Sequence, residues 1–399
     1  MTESKQKNLT LRYGATQFTY WAASTGATSF ATTYLLSKGL PSGTVGALLA
    51  ADGLLACVTQ PLLAAAADRA KRFMLTKMLM LLSTLCAACF AVQLLPNLPL
   101  MATGLLYMAG IWSSESMFPL LSAMSFSYRE SGHAINYGAA RAVGAAASAT
   151  ASLVLGFVIA KLGLYWMLIF LLAVRAANIL LLAGFPRIDK PLAAPEKHEK
   201  SCSIPYFFAH YRWYCISLLG VLFLGMYHAM TENFLIAIMQ RLGGDSRHVG
   251  TALFIASMAV TPTIFCFAAI RKRIPDGWLL KIAALSFLAQ AVLYDLAQSV
   301  TAVWLCQLIQ LTSYAFLEPA LVYYANAKVR SCDMVKGQAF ATAAYALGCS
   351  AGNFAGGQLL RISVDAMLAA GIAMAAAGTA VLFLTVDRSD VPLPPHAET

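Results

Sequence analysis

The stretch "TVGALLAADGLLACVTQPLLAAAADRAKR", Thr44 to Arg72, returns in altered form as "HVGTALFIASMAVTPTIFCFAAIRKR", His248 to Arg273. In each copy a glycine precedes an arginine by 23 residues, Gly46 before Arg69 and Gly250 before Arg273, and the copies stand 204 residues apart. "YGAARAVGAAASA" around Gly138 answers "KGQAFATAAYALG" around Gly337 at an offset of 199, and Pro119 answers Pro319 at 200. Agreeing offsets of about half the 399 residues indicate an internal duplication, which decides the architecture before any motif does.

The duplicated material is apolar. Hydrophobic residues make up 59% of the chain and charged residues 12%, with a mean hydropathy of +0.67. A soluble domain carries roughly 25% charged residues, which excludes a soluble enzyme. A helix needs ~20 apolar residues to cross a bilayer. Twelve such runs are expected, centred on Gln17–Leu36, Val45–Ala66, Met74–Leu94, Leu98–Met124, Gly138–Ala160, Leu164–Gly184, Tyr214–Met239, Val249–Ala269, Trp278–Leu296, Ala302–Ala325, Gln338–Leu360 and Val364–Thr385. The polar, proline-punctuated stretch from Pro186 to Pro205 splits them six and six. The expected fold is an all-α membrane protein of two pseudo-symmetric six-helix bundles. These are residues 1–185 and 213–399, with residues 186–212 as a cytoplasmic linker and a short tail after the last span.

The net charge of +10 first suggests nucleic acid, but its placement argues for topology. Of 28 lysines and arginines, 22 fall in the tails and one alternating set of loops; Lys38, Lys161, Arg241, Arg247 and Arg361 occupy the other set, and Arg175 lies inside a span. Cytoplasmic loops hold such excess, so both termini are expected inside the cell membrane, with no nucleic-acid partner. The first residues lack the apolar core of a cleaved signal peptide. Nine cysteines avoid the outward loops, so no external disulfide is expected. "CAAC" at Cys86 and Cys89 lies within the third span with no other ligand nearby and reads as helix packing.

Ionisable groups at membrane depth are expensive and mark candidate sites. Asp52 and Asp295 lie toward the outer ends of their helices, where hydration accounts for them equally well. Glu115, His228, Glu232, Glu318 and Arg175 lie deeper. Spacings of three and four residues put Gln307, Gln310, Tyr314 and Glu318 on one face of the tenth span. The same rule groups Gln17, Trp21, Ser24, Thr28 and Thr32 in the first span, and Trp112, Glu115, Pro119 and Ser122 in the fourth. His228 and Glu232 in the seventh are four apart and close enough to touch. Low-dielectric surroundings disfavour a charged carboxylate, which suits a residue that loads a proton on one side and releases it on the other. Glu318, His228, Glu232 and Glu115 are therefore the proton-coupling candidates. Pro319 lacks an amide hydrogen and is expected to open the helix beside Glu318. Trp21 and Trp112 are candidates for stacking on a sugar or aromatic ligand, and Gln310 and Tyr314 for polar contact with it. A structural ion pair with Arg175 is the plainer alternative for a buried acid. Trp213, Trp278 and Trp304 read as interfacial anchors.

"VTQPLLAAAADRAKR" resembles the loop signature of the major facilitator superfamily. The resemblance implies that Asp68, Arg69 and Arg72 form a charge clasp at the cytoplasmic gate, with Ala64 standing where the signature begins with glycine. More narrowly, "QPL" with Asp68, and "NYGAARAVG" at the fifth span, resemble the lactose permease group of oligosaccharide–proton symporters and its phenylpropionate-permease-like relatives. In that group the substrate sits between the two bundles near the midplane, and Arg141 stands at the sugar-binding arginine, whose planar fork suits hydroxyl pairs. Departures are plain: the family's fourth-span glutamate falls at Ser122 or Ala123, its ninth-span arginine near Gln290, and its tenth-span histidine at Tyr314 or Gln310. Galactoside specificity is therefore unsupported.

The resulting expectation is a monomeric, proton-coupled secondary transporter of a small organic solute, with sugar or glycoside uptake first. Multidrug or metabolite efflux and aromatic acid uptake, with Arg141 or Arg175 pairing the carboxylate, are the alternatives. A membrane enzyme would need a nucleophile, metal cluster or phosphate loop near the interface. None is legible, and no metal or cofactor is expected.

Overall fold

The computed structural model describes residues 3–69, 74–130, 135–186 and 203–388. Among the described residues the regular structure is helical. In chain order the helices are α1 (Glu3–Ser29), α2 (Ala31–Ser37), α3 (Ser42–Arg69), α4 (Met74–Val92), α5 (Leu100–Glu115), α6 (Met117–Glu130), α7 (Tyr137–Leu162) and α8 (Leu164–Ala183). After the linker come α9 (Ile204–His210), α10 (Arg212–Glu232), α11 (Leu235–Arg241), α12 (Ser246–Arg271), α13 (Asp276–Leu296), α14 (Val300–Gln307), α15 (Tyr314–Lys328), α16 (Met334–Leu360) and α17 (Val364–Thr385). Chain contacts gather residues 1–194 with 233–257 into one compact unit, and residues 195–232 with 258–399 into another.

Nine stretches among the described residues are long and apolar enough to cross a membrane. The other three of the twelve expected spans have physical explanations. The first, α1, is 27 residues long but polar along its length, with Gln17, Thr19, Ser24, Thr25 and Thr28 among its apolar residues, and the fourth is divided between α5 and α6. The eleventh, α16, is continuous but carries Gln338, Thr342, Asn353 and Gln358 among its apolar residues. Large apolar side chains such as Leu62, Leu81, Leu180, Phe265, Ile362 and Leu384 remain exposed, as a lipid-facing surface requires.

The interruptions fall in the four spans that the sequence marked as polar. The first span breaks at Phe30 (φ −110°, ψ 12°) and the seventh at Phe234 (φ −108°, ψ 19°), with the same residue and backbone conformation 204 positions apart. The fourth breaks at Ser116, directly after Glu115. The tenth passes from α14 through a short 3-10 turn, Leu308–Leu311, before α15 begins at Tyr314. Pro319 itself lies inside the regular helix α15. The expected opening beside Glu318 is not found: the helix is regular around Pro319, and the irregular backbone lies at Thr312–Ser313, ahead of the Ala315 carbonyl that a proline at 319 leaves without a donor.

Helix contacts within each unit are made close by small residues. In the second unit a Cβ added at Gly348 would stand 2.1 Å from the Leu222 carbonyl oxygen, and one at Gly352 would stand 2.2 Å from that of Met226. Helices α10 and α16 therefore meet backbone to backbone, and this contact carries His228 up to Tyr345. Gly352→Val forces the two helices apart and is expected to cost about 1–3 kcal/mol, read as a lower melting temperature in detergent. Gly14→Ala, with no atom within 4 Å of the new carbon, serves as the control that does not melt earlier.

Candidate functional site

In the second unit, α10 places His228 among three aromatic rings. Tyr314 stacks on the imidazole at 5.3 Å between centroids and 9° between planes, while Phe287 meets it edge-on at 5.7 Å. Tyr345 from α16 hydrogen-bonds Nδ1 at 2.9 Å. Nε2 is buried without a partner. Whichever nitrogen carries the proton, one polar position of this ring is unmatched, which is a costly state for a buried group.

One turn further on, Glu232 ends α10 just before the break at Phe234. Its Oε2 accepts a hydrogen bond from Gln310 Nε2 at 3.4 Å, and the same amide nitrogen donates to Gln307 Oε1 at 3.0 Å. Among the described residues no hydrogen bond or ion pair joins His228 to Glu232. Their four-residue spacing put them on neighbouring turns, but Tyr345 and Gln310 engage them separately. The glutamine pair is reached because the tenth span is locally unwound there, so the predicted face of Gln307, Gln310, Tyr314 and Glu318 is divided. Its first half meets Glu232 and its second half meets a cavity.

That cavity, about 220 Å3, is lined by Tyr314, Glu318, Gln338, Thr342 and Tyr345, with Leu317, Leu321, Val322 and Ala341 completing it. Glu318 is exposed rather than enclosed in apolar side chains. Helix α15 buries the face carrying Leu317, Leu321 and Tyr324, which leaves the carboxylate on the open side. Tyr345 was missed from the sequence. Its signal was legible: Gln338, Thr342 and Tyr345 recur at four and three residues, a polar stripe on an otherwise apolar span.

The first unit holds a second cluster. A ladder of side chains runs along α1: Trp21 Nε1 donates to Gln17 Oε1 at 3.0 Å, Gln17 Nε2 to the Tyr13 hydroxyl at 2.8 Å, and that hydroxyl to the Leu121 carbonyl at 2.8 Å. Arg141 lies over the Trp21 ring with Cζ 4.2 Å from a ring centre, and Phe118 meets the ring edge-on at 5.7 Å. Trp21 and Arg141 are thus brought together, each occupied with the other. Trp112 donates its indole proton to Thr59 at 2.8 Å. Asp52, expected toward a hydrated helix end, is only 7% exposed, and its Oδ1 has no partner. It lies near enough to Glu115 for the two carboxylates to influence each other electrostatically. Arg175 is fully buried and binds Ser114 and Met117; among the described residues no carboxylate pairs with it, contrary to the ion-pair alternative. The side chains of Asp68 and Arg69, and all of Arg72, lie outside the described residues. Among the described residues eight cysteines, Cys86 and Cys89 included, are free thiols. The described residues hold no cluster of three or more metal-ligating side chains.

The family model described as MFS_1 like family matches residues 10–368. No curated protein matches the sequence. Among solved structures, a crystal structure of the nucleoside transporter NupG aligns at a TM-score of 0.81 and 15% identity, over 95% of this chain and 98% of that one. A peptide transporter POT (E310Q mutant) in complex with alafosfalin aligns at 0.71 and 12% identity, over 94% and 93%. A bacterial homolog of the human lysosomal transporter Spinster aligns at 0.68 and 14% identity, over 97% and 98%.

Removing the Tyr345 hydroxyl tests the geometry around the imidazole. Tyr345→Phe keeps the ring but leaves both nitrogens of His228 without a partner. It is expected to cost about 1–3 kcal/mol, measured as a fall in denaturation midpoint. An unchanged midpoint would mean that the hydroxyl does not hold His228.

Proposed function

The chain belongs to the MFS_1 like family of membrane transporters, and from that premise we propose that it is a proton-coupled secondary carrier of a small hydroxylated solute. Sugar or glycoside uptake by alternating access is the leading form. One observation carries this reading: a cavity with two tyrosine rings, a carboxylate, an amide and a hydroxyl on its wall backs directly onto a histidine that shares a hydrogen bond with one of those tyrosines. Tyrosine faces pack against the apolar face of a sugar ring, while Glu318, Gln338 and Thr342 supply acceptors and donors for its hydroxyls. Titratable groups lie immediately behind, at His228, and a turn away, at Glu232. The NupG likeness is compatible with this chemistry, since a nucleoside contains a sugar ring. Uptake of an aromatic acid is less well served: the charged wall residue is a carboxylate, Arg141 lies on Trp21, and Arg175 is enclosed.

In the proposed cycle Glu318, with Glu232, His228 and Glu115 as further coupling groups, takes up a proton from the outer side and yields it to the cytoplasm. Trp21, Trp112, Arg141, Gln310 and Tyr314 shape the ligand contacts, and Asp68, Arg69 and Arg72 clasp the cytoplasmic gate. The charge asymmetry of the loops supports a cell-membrane location with both termini inside, and the protein acts as a monomer with a bilayer around it.

A thermal-shift screen of the purified protein against a monosaccharide, a glycoside, a nucleoside, a dipeptide and an aromatic acid identifies the ligand class; stabilisation by the hydroxylated compounds is the expected result. In proteoliposomes an inward proton gradient then drives accumulation of the stabilising solute. Glu318→Gln reduces that accumulation more than about tenfold, a loss of at least ~1.4 kcal/mol of coupling, while exchange without a gradient continues. Undiminished accumulation in this variant would move the coupling role to another carboxylate. Expulsion of dyes from cells, without solute-induced proton movement, would replace uptake by efflux.

A further inference from the structure

Arg175 takes no part in the cavity just described, yet its setting is demanding. It sits midway along α8, is 0% exposed, and carries a guanidinium with five hydrogen-bond donors. Burying such a charge without a paired carboxylate is expensive, so its remaining contacts must be specific. Nη2 donates to the Ser114 hydroxyl, and Nη1 approaches Met117 Sδ at 3.5 Å. Ser114 belongs to the last turn of α5 and Met117 to the first of α6, so the fork straddles the interruption at Ser116. Between those two anchors lies Glu115.

The interruption has its own chemistry. Pro119 has no amide hydrogen to offer the Glu115 carbonyl four residues earlier, and the Ser116 hydroxyl is buried without a partner. Helix continuity is therefore weakest where the guanidinium grips. A planar fork can bridge two acceptors at a fixed separation, whereas an ammonium presents a single point of charge. The grip is itself braced. One turn on, Asn178 donates to the Thr16 carbonyl and the Thr19 hydroxyl of α1 and accepts from Ser83 of α4. Tyr20 faces Arg175 at 5.8 Å.

We infer that Arg175 is a positioning residue that spans the interruption of the fourth span, holding its bend and thereby the direction in which the Glu115 carboxyl points. The inference rests on the reading of this protein as a proton-coupled carrier in which Glu115 changes protonation. Arg175 touches neither cavity nor solute. Its role is to keep one carboxyl in one setting, against the titratable groups that share that corner: Asp52 from α3, Tyr20 from α1 and Cys86 from α4, with Arg141 of α7 acting on Tyr20.

The test needs no solute. Infrared difference spectra of the full chain reconstituted in lipid, recorded against pH, show the protonated-carboxyl stretch of each titrating acid. The Glu115 band is the one lost in Glu115→Gln. Arg175→Lys and Arg175→Gln are each expected to move its midpoint by about one pH unit or more, a tenfold change in proton affinity. Ser114→Ala, which removes one anchor and leaves the charge, is expected to move it in the same sense by less. Failure of the lysine variant to restore the midpoint separates the fork from the charge. Melting curves identify variants that retain the fold, and Ser114→Ala keeps the test open if both arginine variants unfold. An unmoved midpoint in the folded variants, or a Glu115→Gln spectrum identical to the parent's, overturns the inference. Loss of proton-driven solute accumulation in Glu318→Gln is a separate outcome, so the coupling assignment and the positioning role fail independently.

Discussion

A helix that stops being helical inside a bilayer must find partners for the amides and carbonyls it releases, because the hydrocarbon offers none. Much of this structure follows from that constraint. The first, fourth, seventh and tenth spans are interrupted at Phe30, Ser116, Phe234 and Leu308–Ser313. Irregular backbone at such depth persists only where protein side chains or a water-lined hollow surround it. Polar residues stand beside the interruptions; Thr28, Ser113 and Thr231 bond back to their own helices, while Gln310 reaches Glu232 of α10 and Arg175 reaches Ser114 of α5. Glu115 and Glu232 are each the last helical residue before a break. Placing a carboxyl there gives it freedom of direction that a mid-helix position would deny.

The two clusters meet their polar requirements differently. Around His228 the solution is aromatic and nearly neutral: a stacked ring, an edge, one hydroxyl, and one nitrogen left open. Such a ring is fixed in its plane by the stack on Tyr314 and the Tyr345 hydrogen bond. Around Arg175 the solution is a permanent cation held by a hydroxyl, a thioether and a tyrosine face. Here the charge is constant and the geometry carries the meaning. One cluster satisfies its polar atoms with rings and a hydroxyl, the other with a bridge across an interrupted helix.

Much of this was legible in the chain. The repeat offset of 204 between Gly46 and Gly250 reappears as the offset between Phe30 and Phe234, two breaks with matching backbone angles. Periodicity of three and four placed Gln307, Gln310, Tyr314 and Glu318 on one face, and the structure keeps them in sequence but divides their tasks. The division was not legible, since it depends on the 3-10 turn that rotates the second half of the span relative to the first. Contacts across helices were also hidden. Nothing local told that His228 would turn to Tyr345 instead of Glu232, or that Asp52 would be closed off by packing. Pro319 misled, because its helix stays regular around it and the break in the tenth span lies earlier, between Leu308 and Ser313.

The exposure of Glu318 bears on which acid does what. A coupling carboxyl must occupy two settings during a cycle, one that favours the proton and one that releases it. A group already open to a cavity is well placed to exchange protons with water or to meet a hydroxylated solute. Glu232 is half-buried and accepts a hydrogen bond from the Gln310 amide, so its setting is the more sheltered of the two. The open acid thus borders the cavity and the sheltered one the unwound segment of the tenth span, so the break at Leu308–Ser313 sets the two acids in different surroundings.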